Sequence, residues 1–434
     1  ELDAKLRRAL LRMLAPLRTR DFRVGPERLR DAGAEPVGLN EHGDQRPDQQ
    51  ASLYASGLTL VLRVLHVSQA TTAGVGRFLE NSVTDQRRRG WEVSVASPPE
   101  ERLIERCGEV RARHLLWHAV RSPLSGLVTE GRSLARIITE VDPEVVVLHS
   151  SKAGLVGRLV LRGSRPTIFC PHAWSFLDGS RLVKLPALAW ERWAARWTAT
   201  VLCVSESERR RGESAGVRAR VRVIPNAVDL ALFHPASPHE RDVIRSAKGM
   251  GGDPVAVCVG RLTVQKGQDV LLSAWPLVLD RAPTARLFLV GDGPDRAALE
   301  QRGVPRVEFV GEQENIRAWM VAADVIAQPS RWEGASFVTL EAMACGRSVV
   351  ASDVDGAQEV LGALGEERDT GAVVPIGDVQ KLAGAIADRL AEPRLAEMEG
   401  ARALDRSRSF DLASWGDAVA DLIVAVAGRG SSAA

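Results

Sequence analysis

A chain of 434 residues is longer than a single hydrophobic core supports, so we expect two domains and an additional segment. Apolar residues make up 45% and charged residues 26% of the chain, which is ordinary for a globular protein and distinguishes no function. The net charge of +2 conceals an asymmetry, because residues 60–225 carry about ten more Lys and Arg than Asp and Glu. A basic domain can meet anionic lipid headgroups or a phosphate-bearing acceptor, although an arginine-rich host proteome explains it equally well.

The five cysteines are an odd number, and no two of them form a C-x-x-C pair. Three lie in apolar runs that predict buried strands, so we expect free thiols in a reducing cytosol. No apolar stretch approaches the roughly 18 residues that a membrane-spanning helix requires, and Arg12 interrupts the apolar run that could form the core of a signal peptide. We therefore expect a cytoplasmic protein that contacts a membrane, if at all, peripherally at its inner face.

The first 58 residues carry no regular pattern. They mix Gly, Pro and charged residues without a period, as in GPERLRDAGAEPVGLNEHGDQRPDQQ. We predict a poorly ordered or atypical extension over 1–58 and assign it no function.

From residue 60 onward, short apolar runs alternate with amphipathic segments. The runs are LVLRVLHVS, WEVSVAS, PEVVVLHS, PTIFCPH, TVLCVS and VRVIPN. Strands separated by helical segments form parallel sheets. We predict a Rossmann-like domain over 60–229.

The same rhythm restarts after a looser stretch over 230–253, which we predict to be a linker. The second set of runs is PVAVCVG, RLFLVGDG, VEFVG, VIAQPS and SVVASD, and it predicts a second Rossmann-like domain over 254–405. The segment 406–434 predicts a final helix that packs back toward the first domain. The fold class is therefore α/β with two parallel-sheet domains, and a ligand belongs in the cleft between them, at the carboxyl ends of the strands.

A candidate phosphate loop follows the strand PVAVCVG. Gly260 and Arg261 come directly after the strand, and Lys266 follows five residues later. Two cations on a loop whose glycines allow close backbone approach suit a diphosphate. Surface cations on an ordinary loop explain the pattern about as well.

A second candidate site lies in RWEGASFVTLEAMACG. Glu333 and Glu341 would be separated by about 12 Å if the segment were helical throughout, which matches the reach from a hexose to a ribose across a diphosphate. Between them, the free N–H groups of Ser336, Phe337 and Val338 at a helix N-terminus would face an anion. In most proteins, two glutamates at this spacing simply face solvent on an amphipathic helix.

In the first domain, Gly74 and Gly76 predict a tight strand-to-helix turn that faces the same diphosphate from the opposite wall. A dinucleotide fingerprint requires a third glycine where the chain has Leu79, so the motif favours NAD only weakly. His172 follows the strand PTIFC and is placed to face the cleft. A lone histidine there is more often structural than catalytic.

Asp353 and Asp355 form a D-x-D motif, the pattern with which many sugar transferases hold a divalent cation. Because the motif follows a strand and precedes a helical turn, we predict helix capping instead. No H-E-x-x-H, Cys/His cluster or G-x-S-x-G motif supports a zinc or acyl-transfer site.

Taken in chain order, these motifs resemble glycosyltransferase family 4. They are AGVGR at the first turn, PNAVD at residue 225, GRLTVQKG at residue 260, LVGDGPDRAAL near residue 290, and the E-x7-E pair followed by AMACG and VVASDVDGAQE. The resemblance covers about residues 60–410, and each motif falls where a two-domain sugar-nucleotide enzyme requires it. It implies a GT-B architecture and retaining, metal-independent hexosyl transfer from a nucleoside diphosphate sugar to a hydroxyl acceptor. It also implies that domain 60–229 lies on the acceptor side and that domain 254–405 binds the nucleotide sugar.

The resemblance also implies roles for individual residues. Arg261 and Lys266 would grip the diphosphate, and the Gly74 and Gly260 loops would line it. Glu341 would hold the ribose hydroxyls.

At the other end of the donor, the resemblance implies that Glu333 contacts the transferred sugar and that His172 lies beside the sugar and the acceptor. Two departures stand out. The family's aromatic-glycine pair after the first glutamate is Ala335-Ser336 here, which bears on sugar selectivity. The first loop has Ala73-Gly74 instead of Gly-Gly, a small change that still allows close backbone approach.

The implied partners are a nucleoside diphosphate sugar and a hydroxyl acceptor, such as a lipid-linked or polysaccharide precursor. No cofactor, metal or nucleic acid is expected. The base and the sugar are left open, because their contacts come from variable loops. Two alternatives remain: an NAD-dependent oxidoreductase that uses AGVGR, which leaves the second domain's motifs without a purpose, and a non-catalytic sugar-nucleotide sensor.

Overall fold

The computed structural model describes residues 61–120, 122, 126–177, 181–362 and 370–431, so the extension over 1–58 lies outside the described residues. Within these ranges the chain forms two parallel β-sheets, one in each half, with helices connecting the strands. The predicted α/β class with two parallel-sheet domains is confirmed.

The first half alternates strands and helices because buried apolar runs alternate with amphipathic segments. Its strands are β1 (Arg63–Ser68), β2 (Glu92–Ser97), β3 (Arg113–Leu116), β4 (Val145–His149), β5 (Thr167–Cys170), β6 (Thr200–Cys203) and β7 (Val221–Val223). Its helices are α1 (Ala73–Arg88), α2 (Glu101–Glu109), α3 (Leu127–Val141), α4 (Ser150–Leu161), α5 (Arg181–Ala194) and α6 (Glu206–Ser214).

The second half repeats this alternation. Its strands are β8 (Val255–Val259), β9 (Arg286–Val290), β10 (Val307–Gly311), β11 (Val325–Gln328), β12 (Ser348–Ser352) and β13 (Gly371–Val374). Its helices are α7 (Pro238–Ala247), α8 (Gln268–Leu279), α9 (Arg296–Glu300), α10 (Ile316–Ala322), α11 (Phe337–Ala344), α12 (Ala357–Leu361), α13 (Val379–Ala391), α14 (Pro393–Ser407) and α15 (Leu412–Ser431).

The strand order brings distant segments together at the centre of each sheet. The first sheet has the order β3-β2-β1-β4-β5-β6-β7, and the second has the order β10-β9-β8-β11-β12-β13. The order therefore reverses beside β1 in one sheet and beside β8 in the other. Ligands of open parallel sheets bind where the strand order reverses, outside the carboxyl ends of the strands. The loops after β1, β4, β8 and β11 accordingly form the candidate site.

The C-terminal helix α15 packs on the first domain. Trp415 and Ile423 belong to the same buried cluster as Val64 and Phe78, and the Trp415 ring lies edge-on to Phe78 with 5.1 Å between centroids. All five cysteines are buried and free, as the sequence predicts. In the part of the chain that is described, no helix is both long enough and apolar enough to cross a membrane.

The structure adds elements that the sequence patterns do not predict. β3 is an edge strand whose residues are exposed or half-buried, so it has no continuous apolar run. β13 is short and begins with a glycine. The looser stretch over 230–253 contains helix α7, with Phe233 and Met250 buried in the second domain's core. The predicted domain bounds otherwise stay predictions.

Candidate active site

The loop after β8 carries the candidate phosphate-binding cations. Lys266 ends a 3₁₀ turn that Gly267 follows with φ +67°. A Cβ atom on Gly267 would lie 2.1 Å from the Pro329 carbonyl oxygen, so this close approach requires glycine. The turn directs Lys266 Nζ to Glu333 Oε1 at 2.5 Å. The two candidate loops of the second domain therefore meet at an ion pair.

Arg261 lies on the same loop, and its side chain is exposed. Its carbonyl oxygen accepts a hydrogen bond from Gln268 Nε2 at 3.1 Å, which fixes the backbone. Among the described residues, no hydrogen bond or ion pair engages its guanidinium. The loop thus offers one cation paired with Glu333 and one that is available to an anion.

Glu333 is nearly buried and lies against the first domain. Its Oε1 also accepts a hydrogen bond from Ser330 Oγ at 2.8 Å. The next residue, Gly334, packs so closely on the first domain that a Cβ atom there would lie 3.3 Å from both His172 C and Ala173 N. The predicted sugar-side residues, Glu333 and His172, therefore lie on two loops in direct contact.

Helix α11 begins at Phe337, with Ser336 as its N-cap residue. The Ser336 hydroxyl accepts no hydrogen bond from the helix, and its buried Oγ makes none with the residues described. Because the N–H groups of a first helical turn have no partner within the helix, those of Phe337 and Val338 are available to an anion. The helix does not extend back to Glu333, so the distance of about 12 Å expected for a continuous helix does not apply.

Glu341 is buried on α11 and is paired across the cleft. Arg77 Nη1, from α1 of the first domain, lies 2.5 Å from Glu341 Oε1. Burial raises the pKa of Glu341, and the positive charge of Arg77 opposes that shift. Phe337 also faces α1, since a Cβ atom on Gly74 would lie 3.4 Å from its ring. The Gly74 loop and the E-x7-E helix therefore form opposite walls of one cleft.

His172 ends a chain of three imidazoles in the first domain. Its Nε2 lies 3.1 Å from His149 Nδ1, and His149 Nε2 lies 2.9 Å from His66 Nδ1. Gln86 Oε1 completes the chain, 2.9 Å from His66 Nε2. Burial lowers the pKa of both His66 and His172 to about 4 and that of His149 well below its usual value, so all three are neutral near pH 7.

The backbone at His172 is unusual. His172 has φ +51° and Ala173 has φ +89°, two consecutive left-handed residues without a glycine. Glu208 on α6 fixes this conformation, because its Oε1 accepts the Ala173 N–H at 2.7 Å and its Oε2 accepts the Val204 N–H at 2.8 Å. Burial raises the pKa of Glu208 to about 7.

A second ion pair joins the domains beside this loop. Asp355 accepts two hydrogen bonds from Arg211 of α6, at 2.8 Å and 2.6 Å. The N-cap residue of α12 is Gly356, without any side-chain cap, so the prediction that the D-x-D motif caps this helix is wrong. Asp353 instead accepts a hydrogen bond from Gln358 Nε2 at 2.8 Å. Glycine occupies the cap position because the chain turns there with φ +79°.

One group of potential metal ligands stands together in the described part of the chain. The ligand atoms of His149, Cys170 and His172 lie within 4.8 Å of one another. The two imidazoles are already hydrogen-bonded to each other, and burial raises the pKa of the Cys170 thiol well above its usual value. Because a metal binds the thiolate and not the thiol, this donor set does not favour one.

Sequence reasoning assigned no role to Arg77, His149, His66 or Gln86. Arg77 lies within the quoted AGVGR motif, and His149 ends a buried strand, so both positions carried a signal. Neither position, however, indicates which residue its side chain contacts. Arg77, for example, pairs with Glu341, which lies 264 residues away in the chain.

Two family models match the chain. A model described as Glycosyltransferase Family 4 matches residues 72–232, and one described as Glycosyl transferases group 1 matches residues 253–392. Together they include every strand of the two sheets except β1.

Two relatives match this chain over most of their own length. The GDP-mannose-dependent α-(1-6)-phosphatidylinositol monomannoside mannosyltransferase of Mycolicibacterium smegmatis is 32% identical over 315 residues, which cover 65% of this chain and 78% of the relative. The chain belongs to glycosyltransferase family 4. The enzyme is also 31% identical to the Mycobacterium tuberculosis protein of the same description over 329 residues, 70% of this chain and 81% of that one.

A third relative of this family 4 glycosyltransferase is the lipopolysaccharide core biosynthesis mannosyltransferase LpcC of Rhizobium leguminosarum. It is 36% identical over 197 residues, which cover 43% of this chain and 54% of the relative. These matches support glycosyl transfer as the activity of the enzyme, as its sequence implies.

Solved structures match the enzyme along nearly their whole length. HepE of Anabaena, in complex with UDP and glucose, has a TM-score of 0.73 at 23% identity, covering 84% of this chain and 100% of that one. WaaG, a glycosyltransferase involved in lipopolysaccharide biosynthesis, has a TM-score of 0.66 at 19% identity, covering 83% and 99%. At these identities the likeness shows the fold, which is the GT-B architecture that the sequence implies.

Proposed function

We propose that the enzyme is a retaining, metal-independent mannosyltransferase that moves mannose from GDP-mannose to a hydroxyl group of a lipid-linked acceptor. The observation that carries the proposal is the contact of Lys266 Nζ with Glu333 Oε1, at 2.5 Å, beside the N-terminus of α11. It brings a cation, helix N–H groups and a carboxylate together at one side of the cleft. The donor is proposed from the relatives, whose names specify GDP-mannose.

The chemical problem is the departure of a nucleoside diphosphate from an anomeric carbon. Negative charge develops on the leaving oxygen, and Lys266, Arg261 and the N-terminus of α11 would stabilise it. Glu341 would accept hydrogen bonds from the ribose hydroxyls in place of Arg77. Gly74 would allow the first domain's backbone to approach the diphosphate.

No protein carboxylate is required as a nucleophile. The Glu333 carboxylate is engaged by Lys266 and by Ser330, which suits a group that orients the sugar. The bond from the anomeric carbon to the diphosphate oxygen breaks, and a bond to the acceptor oxygen forms on the same face. The acceptor's proton passes to the departing diphosphate, so the charges balance. Because the bond to the diphosphate breaks and the bond to the acceptor forms on the same face, the configuration is retained.

The basic first domain supports an acceptor at a membrane surface. Residues 60–225 carry about ten more Lys and Arg than Asp and Glu, a field that attracts anionic headgroups. On α5, Val183 and Leu185 are 49% and 59% exposed. The phosphatidylinositol in the names of two relatives is consistent with such a surface. We propose peripheral contact through this domain.

The direct test is transfer of labelled mannose from GDP-mannose to an extract of phosphatidylinositol mannosides. We expect a mannosylated lipid whose new linkage is α, as NMR of the product would show. GDP-glucose, which differs from GDP-mannose in the sugar, and UDP-glucose, which differs from GDP-glucose in the base, are the matched control donors. A β-linked product would exclude retention, and transfer from UDP-glucose alone would exclude the proposed donor.

The proposal also predicts full turnover in the presence of a chelator. A strict requirement for Mn²⁺ would contradict it. Asp353 would then be the candidate metal ligand of the D-x-D motif, because Asp355 is already paired with Arg211.

A non-catalytic sugar-nucleotide sensor would bind GDP-mannose without transferring or hydrolysing it, so the same assay excludes that alternative. An oxidoreductase would show absorbance changes of NAD, which we do not expect.

A further inference from the structure

The imidazole chain in the first domain ends at His172, a residue to which the proposed function gives a place beside the sugar. The chain runs from Gln86 on α1 through His66 on β1 and His149 at the end of β4. Gln86, His66 and His149 are each at most 1% exposed, so no bulk water replaces these contacts. Among the described residues, His66 and His149 each have only their two neighbours in the chain as hydrogen-bond partners on their ring nitrogens, and His172 has only His149.

A neutral imidazole has one N–H donor and one acceptor nitrogen, so the proton positions along such a chain are coupled. Gln86 Oε1 can only accept, and His66 Nε2 must therefore donate to it. His66 Nδ1 is then an acceptor and receives the N–H of His149 Nε2. By the same rule, His149 Nδ1 receives the N–H of His172 Nε2. His172 Nδ1 is thus left without a proton.

We propose that Gln86, His66 and His149 are positioning residues that fix His172 in the tautomer with an unprotonated Nδ1, so that it accepts a hydrogen bond from a hydroxyl of the sugar or the acceptor. This inference rests on the proposed function for the identity of the hydroxyl. It does not rest on it for the tautomer.

Two further observations support a fixed direction of hydrogen-bond donation along the imidazole chain. Gln86 Nε2 is buried and has no hydrogen-bond partner among the residues described, so the amide's side-chain hydrogen bond in this part of the chain is the one to His66. Aromatic rings also seal the chain. Phe78 lies 5.6 Å from His149 and 4.9 Å from His172 between ring centroids, and Trp415 packs behind it. In this dry environment the imidazoles stay neutral, which the one-donor rule requires.

The backbone positions the same ring independently. Glu208 holds the left-handed turn at His172 and Ala173 through the Ala173 N–H, 2.7 Å from its Oε1. The side-chain network therefore has the specific task of setting the proton position on His172, because the ring's location is already fixed by the turn.

The test compares Gln86→Glu with Gln86→Met. Glutamate keeps an acceptor-only group beside His66 Nε2, whereas methionine keeps the length and removes the acceptor. In protein labelled with ¹⁵N-histidine, long-range ¹H–¹⁵N NMR distinguishes protonated from unprotonated ring nitrogens. We expect an unprotonated His172 Nδ1 in the wild type and in Gln86→Glu, and a mixture of tautomers in Gln86→Met. His172→Asn assigns the resonances.

A protonated His172 Nδ1 in the wild type would overturn the inference, and so would an unchanged tautomer in Gln86→Met. The wild-type spectrum decides even if Gln86→Met does not fold. In the transfer assay, we expect Gln86→Met to lower kcat about 10- to 100-fold, as loss of an outer-shell partner does, with GDP affinity unchanged and with rescue by Gln86→Glu. Equal losses of GDP affinity and kcat in both variants would indicate a structural role only and would contradict the proposal.

The two proposals fail separately. If the spectra are as expected but mannose is not transferred, the proposed function fails and the tautomer assignment stands. If mannose is transferred but His172 has the other tautomer, the tautomer assignment fails and the proposed function stands.

Discussion

The two walls of the cleft solve different electrostatic problems. On the second domain's wall, groups of opposite charge lie in pairs: Lys266 lies beside Glu333, and Glu341 is paired with Arg77 of the first domain. On the first domain's wall, His66, His149 and His172 are neutral, and they are hydrogen-bonded to one another and to Gln86.

This difference follows the chemistry that each wall would meet. A diphosphate requires charge, and a charge can be held near a buried surface only if it is paired. A sugar or acceptor hydroxyl requires a directional hydrogen bond, which a neutral imidazole provides without the desolvation cost of an ion. The comparison predicts that mutations in the charged wall change leaving-group departure and donor binding, whereas acidification acts on the neutral wall.

The largest effect is expected at the charged wall. We expect Lys266→Ala, and separately Arg261→Ala, to lower kcat by roughly two to three orders of magnitude, because each removes a cation that stabilises the leaving diphosphate. Steady-state rates with GDP-mannose measure the effect. Lys381→Ala, an exposed lysine on α13, is the matched control and should retain full activity. Wild-type rates in both single variants would remove the leaving-group role.

A smaller effect is expected at the ribose end. Glu341→Gln should raise the KM for the donor about 10- to 100-fold with little change in kcat, since a hydrogen bond to a charged acceptor contributes about 1.5–3 kcal/mol. Glu312→Gln, at an exposed position, serves as the control. A decrease in kcat at unchanged KM would instead assign Glu341 to the chemical step.

The neutral wall should respond to pH. Because the folded-state pKa of His66 and of His172 is lowered to about 4, the unfolded chain binds their protons first as the pH falls below 6.5. The stability contributed by the neutral imidazoles is therefore complete above pH 6.5 and is lost toward pH 4. Glu208, whose pKa is raised to about 7, and Glu341, whose pKa is also raised, act in the opposite direction, whereas the lowered pKa of His149 adds to the loss. We expect the free energy of unfolding to fall by about 1–3 kcal/mol per pH unit over this window.

Urea titrations at a series of pH values measure this dependence. His66→Leu should reduce the slope of the free energy of unfolding against pH by roughly 1.4 kcal/mol per pH unit, which is the contribution of one proton. The exposed His239→Leu should leave it unchanged. Constant or rising stability on acidification would contradict the assignment of neutral imidazoles.

The smallest effect concerns the first loop, where Ala73 occupies the position of a family glycine and has φ +53°. We expect Ala73→Gly to change the free energy of unfolding by no more than about 1 kcal/mol, because relief of the left-handed strain offsets the greater freedom of the unfolded chain. At Gly76, by contrast, a Cβ atom would lie 2.2 Å from the Thr71 carbonyl oxygen. Gly76→Ala should therefore destabilise the turn markedly, and equal thermal stability of the two variants would contradict this.

Much of the fold could be predicted because its signals are local. Apolar runs such as VVVLH and VAVCV, separated by amphipathic segments, predict parallel strands regardless of what surrounds them. The edge strand β3 escaped prediction because it has no continuous buried face. Its existence depends on pairing with β2, which the strand's own residues do not encode.

In the candidate site, too, features that depend on short segments could be predicted, and contacts between distant residues could not. The loop with Lys266 and the helix with Glu341 were recognisable from glycine, cation and carboxylate spacing within short segments. Asp355 was assigned to a helix cap because its partner, Arg211, lies 144 residues away.

The amino-acid sequence alone thus determines the two α/β domains, the glycine-containing loop with Lys266 and the helix that follows Glu333, since these depend on interactions between residues close in the chain. Only the tertiary structure decides which residue faces which across the cleft. The strand order brings β1 beside β4, so that His66 and His149 meet although 83 residues separate them. Domain packing brings Arg77 to Glu341. Such pairings depend on long-range burial and strand order, and no short stretch of sequence specifies them.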